Sequence, residues 1–198
     1  MSPPALLILT LSTYALGCIS AAYYLVRVRT GGDIRSVGSG NAGARNAARA
    51  LGRGAFVLVF LLDAAKGALA VWVARRLGFG TGGELVAMLS VVAGHVWPAQ
   101  LGFRGGKGVS TAYGALLVLD WRVALIGQAL CLAGAAMSRH FLLSGIVAIS
   151  LVPAIALGFG HGLANVLSLA ILGTIVVWAH RSNLRELRTG ARRVEAAP

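Results

Sequence analysis

The residues best suited to chemistry lie between Asp33 and Gly52, in the run D-I-R-S-V-G-S-G-N-A-G-A-R-N-A-A-R-A-L-G. Gly38, Gly40 and Gly43 allow backbone conformations that turn successive N–H groups into one concavity. Ser39, Asn41 and Asn46 add neutral donors, and Arg35, Arg45, Arg49 and Arg53 add positive charge. From about Asn41 onward the alanines favour helix, so the concavity would open a helix N-terminus, where anions are stabilised. Arg45, Arg49 and Arg53 are four apart and would share one face of that helix. The ligand implied is a phosphate or a carboxylate. A basic loop that only orients a membrane protein would carry the same charge.

A second glycine-rich basic turn, F-R-G-G-K-G-V-S-T, runs from Phe103 to Thr111. It is not a Walker A sequence, because counting from Gly102 puts Lys107 where the second glycine belongs. The weaker expectation is that Gly105, Gly106, Lys107 and Gly108 hold an anion through backbone donors and one ammonium. Other polar residues stand out against apolar surroundings: Asp63 and Lys66, His95 in G-H-V-W-P, Ser144, and His180 with Asn183. Asp63 and Lys66 are three apart and can offset each other on one helix face. At membrane depth such a pair points to function, or to a structural ion pair between helices. Cys18 and Cys131 both fall in apolar runs and read as small buried hydrophobes, with no disulfide or metal spacing.

The elements that must position these residues are membrane spans. The chain has 198 residues, 57% of them hydrophobic, and a mean hydropathy of +0.78, which places it in the membrane class. A net charge of +12 would suggest nucleic acid in a soluble protein, but the cations sit in gaps between apolar runs, so no nucleic acid partner is expected. The runs predict seven helices: Met1–Val26, Ala55–Ala74, Leu85–Leu101, a short Val109–Leu119, Val123–Met137, Phe141–Phe159 and Leu163–Ala179. The first lacks a basic start and is too long for a cleaved signal, so it reads as a retained span. Pro98 ends the third and Pro153 is a tolerated kink in the sixth. The predicted fold is therefore all-α, a single integral-membrane domain over residues 1–190, with residues 191–198 a disordered tail.

Cation bias sets the orientation. Of the 18 Lys and Arg, only Arg75, Arg76 and Arg122 fall on one side, and Lys66 lies within a span. The rest share the side of the loops after spans one, three and five and of the C-terminal tail. That predicts an outside N-terminus and a cytoplasmic C-terminus. It also puts the Gly38–Asn46 stretch, His95, the Gly105–Gly108 turn, Ser144, and His180 with Asn183 on one face, where they can meet in a single site.

These motifs resemble the bacterial acyl-phosphate:glycerol-3-phosphate acyltransferases, the PlsY family. The resemblance rests on G-S-G-N-A-G-A-R-N-A-A-R at Gly38–Arg49, L-D-A-A-K-G at Leu62–Gly67 and G-H-V-W-P at Gly94–Pro98. F-R-G-G-K-G-V-S-T at Phe103–Thr111 and H-R-S-N-L at His180–Leu184 follow in the same order. It implies transfer of an acyl group from acyl phosphate to glycerol 3-phosphate, giving lysophosphatidic acid and phosphate, the first step of phospholipid synthesis. It implies a multi-pass protein of the bacterial cytoplasmic membrane, with no cofactor and no metal. An acyl phosphate is already activated, so the protein has to hold two phosphates together and aim a hydroxyl at a carbonyl.

Catalysis is assigned on this reading to Ser39, His95 and Lys107. Substrate binding is assigned to Gly38, Gly40, Asn41, Arg45, Asn46, Arg49, Arg104, Gly105, Gly106, Ser144, His180 and Asn183. His95 would bind phosphate or act as a base, and a substrate phosphate would serve as base in its place. The acyltransferase class that uses a His with an Asp five residues on is not matched, since those positions are Gln100, Gly145, Val166 and Arg185. The chain departs from the family pattern at Arg45, where Thr is usual, at Leu142, where Ser is usual, and at Gly190-Ala191-Arg192 in place of Gly-Thr-Glu. A paralogue with another phosphorylated acceptor, and a transporter or channel for phosphate-bearing anions, are the alternative readings. A serine hydrolase built on Ser144 with His161 or His180 lacks the glycine two residues before the serine.

Overall fold

Hydropathy alone demands helices here, because a chain in hydrocarbon must satisfy every backbone polar group within itself. The computed structural model describes residues 2–189, and among them there are ten α-helices, two short 3₁₀ turns and no strand. The helices are α1 (Pro3–Cys18), α2 (Ala21–Thr30), α3 (Ala44–Leu51), α4 (Arg53–Arg76), α5 (Gly80–Val96), α6 (Val109–Leu119), α7 (Trp121–Ser138), α8 (Phe141–Gly158), α9 (Leu163–Ala179) and α10 (Arg181–Thr189). Five apolar stretches are long enough to cross a bilayer: Pro3–Thr30, α4, Gly80–Leu101, α7 and α8. A sixth is gained if α9 is joined to the start of α10, from which it bends by 56°. Apolar helix occurs at all seven expected places, but α6 has only 11 residues. The expected tail at 191–198 lies outside the described residues.

Helix α5 sits at the centre, against α1, α4, α6 and α9, and its apolar side chains Met88, Val91 and Val92 are fully buried. Without a hydrophobic force between helices in lipid, close backbone approach has to supply the packing. The α4–α6 contact shows it, since a Cβ on Gly114 would lie 1.9 Å from the Ala64 carbonyl oxygen and one on Gly67 would lie 2.0 Å from that of Thr111. On the face away from the basic loops, Asp120 caps α7 by accepting from the Arg122 amide at 2.9 Å. Its Oδ2 also meets His161 Nε2 at 2.9 Å, tying the α6–α7 corner to the α8–α9 turn. Arg122 and then His161 hold the Asp120 carboxyl well below its usual range.

Two boundaries differ from the sequence reading in ways that shape the site. The first span is broken, with Ile19 and Ser20 extended between α1 and α2. The helix expected from Asn41 starts instead at Ala44 and stops at Gly52, whose φ of 87° ends it before α4 begins at Arg53. Arg45 and Arg49 therefore share a helix, and Arg53 belongs to the next one.

Candidate active site

Breaking a helix in a membrane strands backbone carbonyls, which then need donors. Here the donor is Lys66: its Nζ donates to Gly17 O at 3.1 Å and Ile19 O at 2.7 Å. Gln100 adds a bond from Nε2 to Cys18 O. Lys66 also lies 2.8 Å from Asp63 Oδ1 and 2.9 Å from His95 Nδ1, with all three side chains buried. An ammonium has no lone pair to offer, so His95 Nδ1 must be the acceptor and the ring proton sits on Nε2. In this bonding His95 presents a donor to the site, not a base. The Asp63–Lys66 pair thus fastens the broken span and orients one imidazole.

His95 Nε2 points at the second glycine turn. A Cβ on Gly106 would lie 2.2 Å from it, and one on Gly105 would lie 2.1 Å from the His95 carbonyl oxygen. The amides of these glycines are bonded to α5: Gly105 N donates to Val96 O and Gly106 N to His95 O, both at 3.1 Å. The first loop is bound in the same way. Ser39 N donates to Asn46 Oδ1 at 3.1 Å, Gly40 N to Val37 O and Ala42 N to Gly105 O, each at 3.1 Å. Asn46, fully buried, places Nδ2 2.9 Å from Ile34 O, Val37 O and Asn41 O.

The glycine turns were expected to offer amides to an anion; those of Ser39, Gly40, Ala42, Gly105 and Gly106 are instead spent inside the protein. The reason is burial: Gly105 and Gly106 lie buried against α5, where a backbone amide left without a partner is costly. Gly105 and Gly106 are there for close approach to α5, and Asn46 is the clasp of the first loop.

Side chains are then left to meet a ligand. The Ala42–Gly105 bond joins the two loops, and Lys107 Nζ bonds Asn183 Oδ1 on α10. His180, at the end of α9, directs Nδ1 to Val176 O at 2.8 Å; a carbonyl only accepts, so the proton is on Nδ1 and Nε2 keeps its lone pair. Burial first, and the charges of Lys107 and Arg45, hold His180 below the ordinary imidazole range, against the pull of the Val176 bond. Ser39 Oγ accepts from Asn41 Nδ2 at 2.7 Å, which leaves its hydroxyl proton to donate. Arg49 lies along the first loop, with Cδ 3.0 Å from where a Gly38 Cβ would be. Arg104 N bonds back to Leu101 O at 3.4 Å, on the turn beside the same site.

Ser144 is placed differently from the rest. Its Oγ donates to His140 O at 3.1 Å and lies 3.4 Å from Ser138 Oγ, so these bonds stay within the α7–α8 hairpin. His161, on the opposite face with Asp120, is remote from it. Three contributors were not singled out in the sequence. Asp33 holds Arg35, which reaches Leu101 O at 2.6 Å and binds the first loop to the second. Gln100 lies two residues past the G-H-V-W-P motif and outside it, so nothing in the sequence marked it. Thr111, in the first turn of α6, has a buried hydroxyl with no hydrogen-bond partner; the only hint was its place just after Lys107–Gly108.

With this geometry established, comparison with known proteins gives a consistent result. The sequence profile of the family described as Glycerol-3-phosphate acyltransferase matches residues 7–190. A glycerol-3-phosphate acyltransferase 1 of Desulfitobacterium hafniense (strain Y51) is 40% identical over 181 residues, 91% of this chain and 90% of that protein. Two crystal structures of PlsY, an integral membrane glycerol 3-phosphate acyltransferase, superpose closely. The glycerol 3-phosphate form has a TM-score of 0.87 at 33% identity, and the lysophosphatidic acid form 0.84 at 31%. Each match covers 94% of this chain and 93% of the other. On its helices, its motifs and its matched length, the chain belongs to the glycerol-3-phosphate acyltransferase family.

Proposed function

We propose that this protein transfers an acyl group from acyl phosphate to the sn-1 hydroxyl of glycerol 3-phosphate, releasing lysophosphatidic acid and phosphate. The observation that carries this reading is the gathering of Lys107, Asn183, His180 and Arg45, from three separate parts of the chain, beside the joined glycine loops. Two of the similar structures are forms with the acceptor and with the product of such a reaction.

Arg49, Arg104, Lys107 and Asn183 hold the two phosphates, with charge-assisted bonds that grow as the carbonyl becomes tetrahedral. Arg45 adds a further guanidinium to the same end. His180 Nε2 accepts from a hydroxyl of the acceptor and aims it at the acyl carbon. Ser39 Oγ–H and His95 Nε2–H donate towards developing negative charge. The hydroxyl oxygen forms the new ester bond and the C–O bond to phosphate breaks. The hydroxyl proton, hydrogen-bonded to His180 Nε2, passes to that nitrogen as the ester forms and from there to the released phosphate. No step asks for a metal or a coenzyme.

For the membrane arrangement, seven apolar segments with α6 as a half-length span leave the N-terminus outside and the basic face in the cytoplasm, in the bacterial inner membrane. The decisive experiment is purified protein with palmitoyl phosphate and glycerol 3-phosphate, following phosphate release. Turnover with acyl phosphate and none with palmitoyl-coenzyme A is expected. Comparable rates from the thioester would overturn the donor assignment. A reporter fused after Pro198 that is active only in the periplasm would overturn the orientation.

A further inference from the structure

Helices α6 and α9 each carry a site residue at one end and a polar residue of the opposite face at the other. Gly108, one residue after Lys107, opens α6, and Asp120 follows its last residue. Gly162, one residue after His161, opens α9, and His180 follows its last residue. The two helices are joined at both ends. At the basic face Lys107 bonds Asn183, and a Cβ on Gly108 would lie 3.5 Å from Val176 Cγ2 of α9. At the far face Asp120 Oδ2 meets His161 Nε2 at 2.9 Å.

This far-face latch is oriented by its neighbours. A carboxylate only accepts, so His161 donates from Nε2, and in the neutral ring Nδ1 accepts from Asn165 Nδ2 at 2.9 Å, on the first turn of α9. Arg122 bonds both oxygens of Asp120, at 3.1 and 2.8 Å, and lays its guanidinium 4.8 Å over the Phe159 ring at the end of α8. Arg75, paired with Glu84 at 2.7 Å, reaches Leu119 O at 3.3 Å, so α4 and α5 brace the same end of α6. Ion pairs this near water add little stability, and Asp120 already caps α7 with its other oxygen. What the His161 bond adds is geometric: it fixes α6 against α9.

We propose that Asp120 and His161 are positioning residues, whose latch sets the apposition of Lys107 and His180 at the far ends of α6 and α9. Helices are stiff, so tying one pair of ends limits both slide and splay at the other. A slip of one residue moves a helix by about 1.5 Å. A misplacement of about 1 Å is enough to slow a reaction that depends on proximity by about a hundredfold. The effect on turnover rests on the acyl-transfer reading; the effect on geometry does not.

The test compares the wild-type and His161→Ala full chains in detergent, by turnover per folded molecule and by NMR of isotope-labelled histidine. The His180 signal is assigned by its loss in His180→Gln. The 17 residues of α9 span about 26 Å, beyond the reach of a screened charge, so only a structural change carries an effect from His161 to His180. Burial holds His180 below the ordinary imidazole range, and the Lys107 charge adds to that. With the latch open Lys107 draws away, so His180 should protonate at a higher pH. In parallel, kcat/KM should fall by about tenfold to a hundredfold. His161→Gln, whose amide N–H still donates to Asp120, should recover part of both changes. If His161→Ala does not fold, Asn165→Ala, which frees the ring without removing it, should show the same changes on a smaller scale. An unmoved His180 titration in the variant that folds would overturn the proposal, whatever becomes of yield or melting temperature. Wild-type turnover per folded molecule would overturn it too. Wild-type protein that left palmitoyl phosphate untouched would strike the acyl-transfer reading alone, and the titration would still decide the latch.

Discussion

Around Lys66, an ammonium meets a carboxylate, an imidazole and two backbone carbonyls. Around Lys107, an ammonium meets an amide oxygen, near the imidazole of His180 and, through it, the guanidinium of Arg45. Both groups sit at the same end of the bundle, and each sets a lysine beside a histidine. The first is closed except at His95 Nε2: its charges cancel, and the Lys66 donors are matched to the carbonyls stranded by the break in the first span. The second gathers cations and leaves His180 Nε2 with a lone pair. The lesson is that an ionisable residue at membrane depth is not by itself a functional site. The direction of its hydrogen bonds decides, and the two histidines make this plain. His95 is fixed as a donor by Lys66, and His180 is fixed as an acceptor by Val176.

The largest expected effect breaks the closed group. Lys66→Met removes the charge matched to buried Asp63 and the donor for Gly17 O and Ile19 O. Orphaning one member of a buried pair costs about 3–5 kcal/mol, enough to threaten the fold, so yield and melting temperature should collapse together. Adding Asp63→Leu should recover part of that loss. If Lys66→Met melted like wild type yet lost turnover, Lys66 would serve catalysis through His95 and not the fastening of the span.

Next in size is the open group. Lys107→Ala should lower kcat/KM by about tenfold to a hundredfold, for a charge-assisted contact of about 1.5–3 kcal/mol, with melting unchanged. Arg49→Ala should behave alike. Near-wild-type activity in both would reduce the basic loops to signals of membrane orientation.

Between the two groups stands Asn46, the clasp. Asn46→Asp exchanges a donating amide for a carboxylate oxygen facing the carbonyls of Ile34, Val37 and Asn41. It should cost about 1–3 kcal/mol of stability and lower turnover in step with the loss of folded protein. Turnover that vanished with melting intact would move Asn46 from holding the loop to holding substrate.

The contrast between the two groups was only half legible in the sequence. Apolar runs gave the positions of the helices because hydrocarbon thickness imposes length and composition directly. The motifs around Ser39, Lys107 and His180 stood out because polar residues in such runs are costly. The break at Ile19–Ser20 carried no local mark, since its partners, Lys66 and Gln100, lie 47 and 82 residues away. The glycines invited a reading as backbone donors to an anion. In the structure Gly105 and Gly106 let the second loop pack against α5, because buried chain must satisfy its own amides before it can serve a ligand. Hydrogen-bond direction at His95 and His180 was not legible, as it depends on which carbonyl or ammonium the fold brings to each ring.

The smallest expected effect concerns Arg45, where this chain leaves its family pattern. Arg45 is exposed on α3 one turn before Arg49, and its charge is one of two that act on His180. Two guanidiniums so placed repel unless an anion lies between them, and phosphate is the natural bridge. Arg45→Thr restores the common residue and removes one charge. It should raise KM for one of the two substrates several-fold and flatten the dependence of that KM on salt. The sign of a second effect follows from His180. Its folded value is pushed down, in part by Arg45, so it stays neutral until the pH falls below the ordinary imidazole range near 6.5. Removing Arg45 relieves that push, so His180 should protonate at a higher pH. The acid limb of the kcat/KM profile should then move towards neutrality. A Thr variant with an unmoved acid limb and unchanged KM for both substrates at every ionic strength would leave Arg45 as an anchor facing lipid phosphates at the membrane surface.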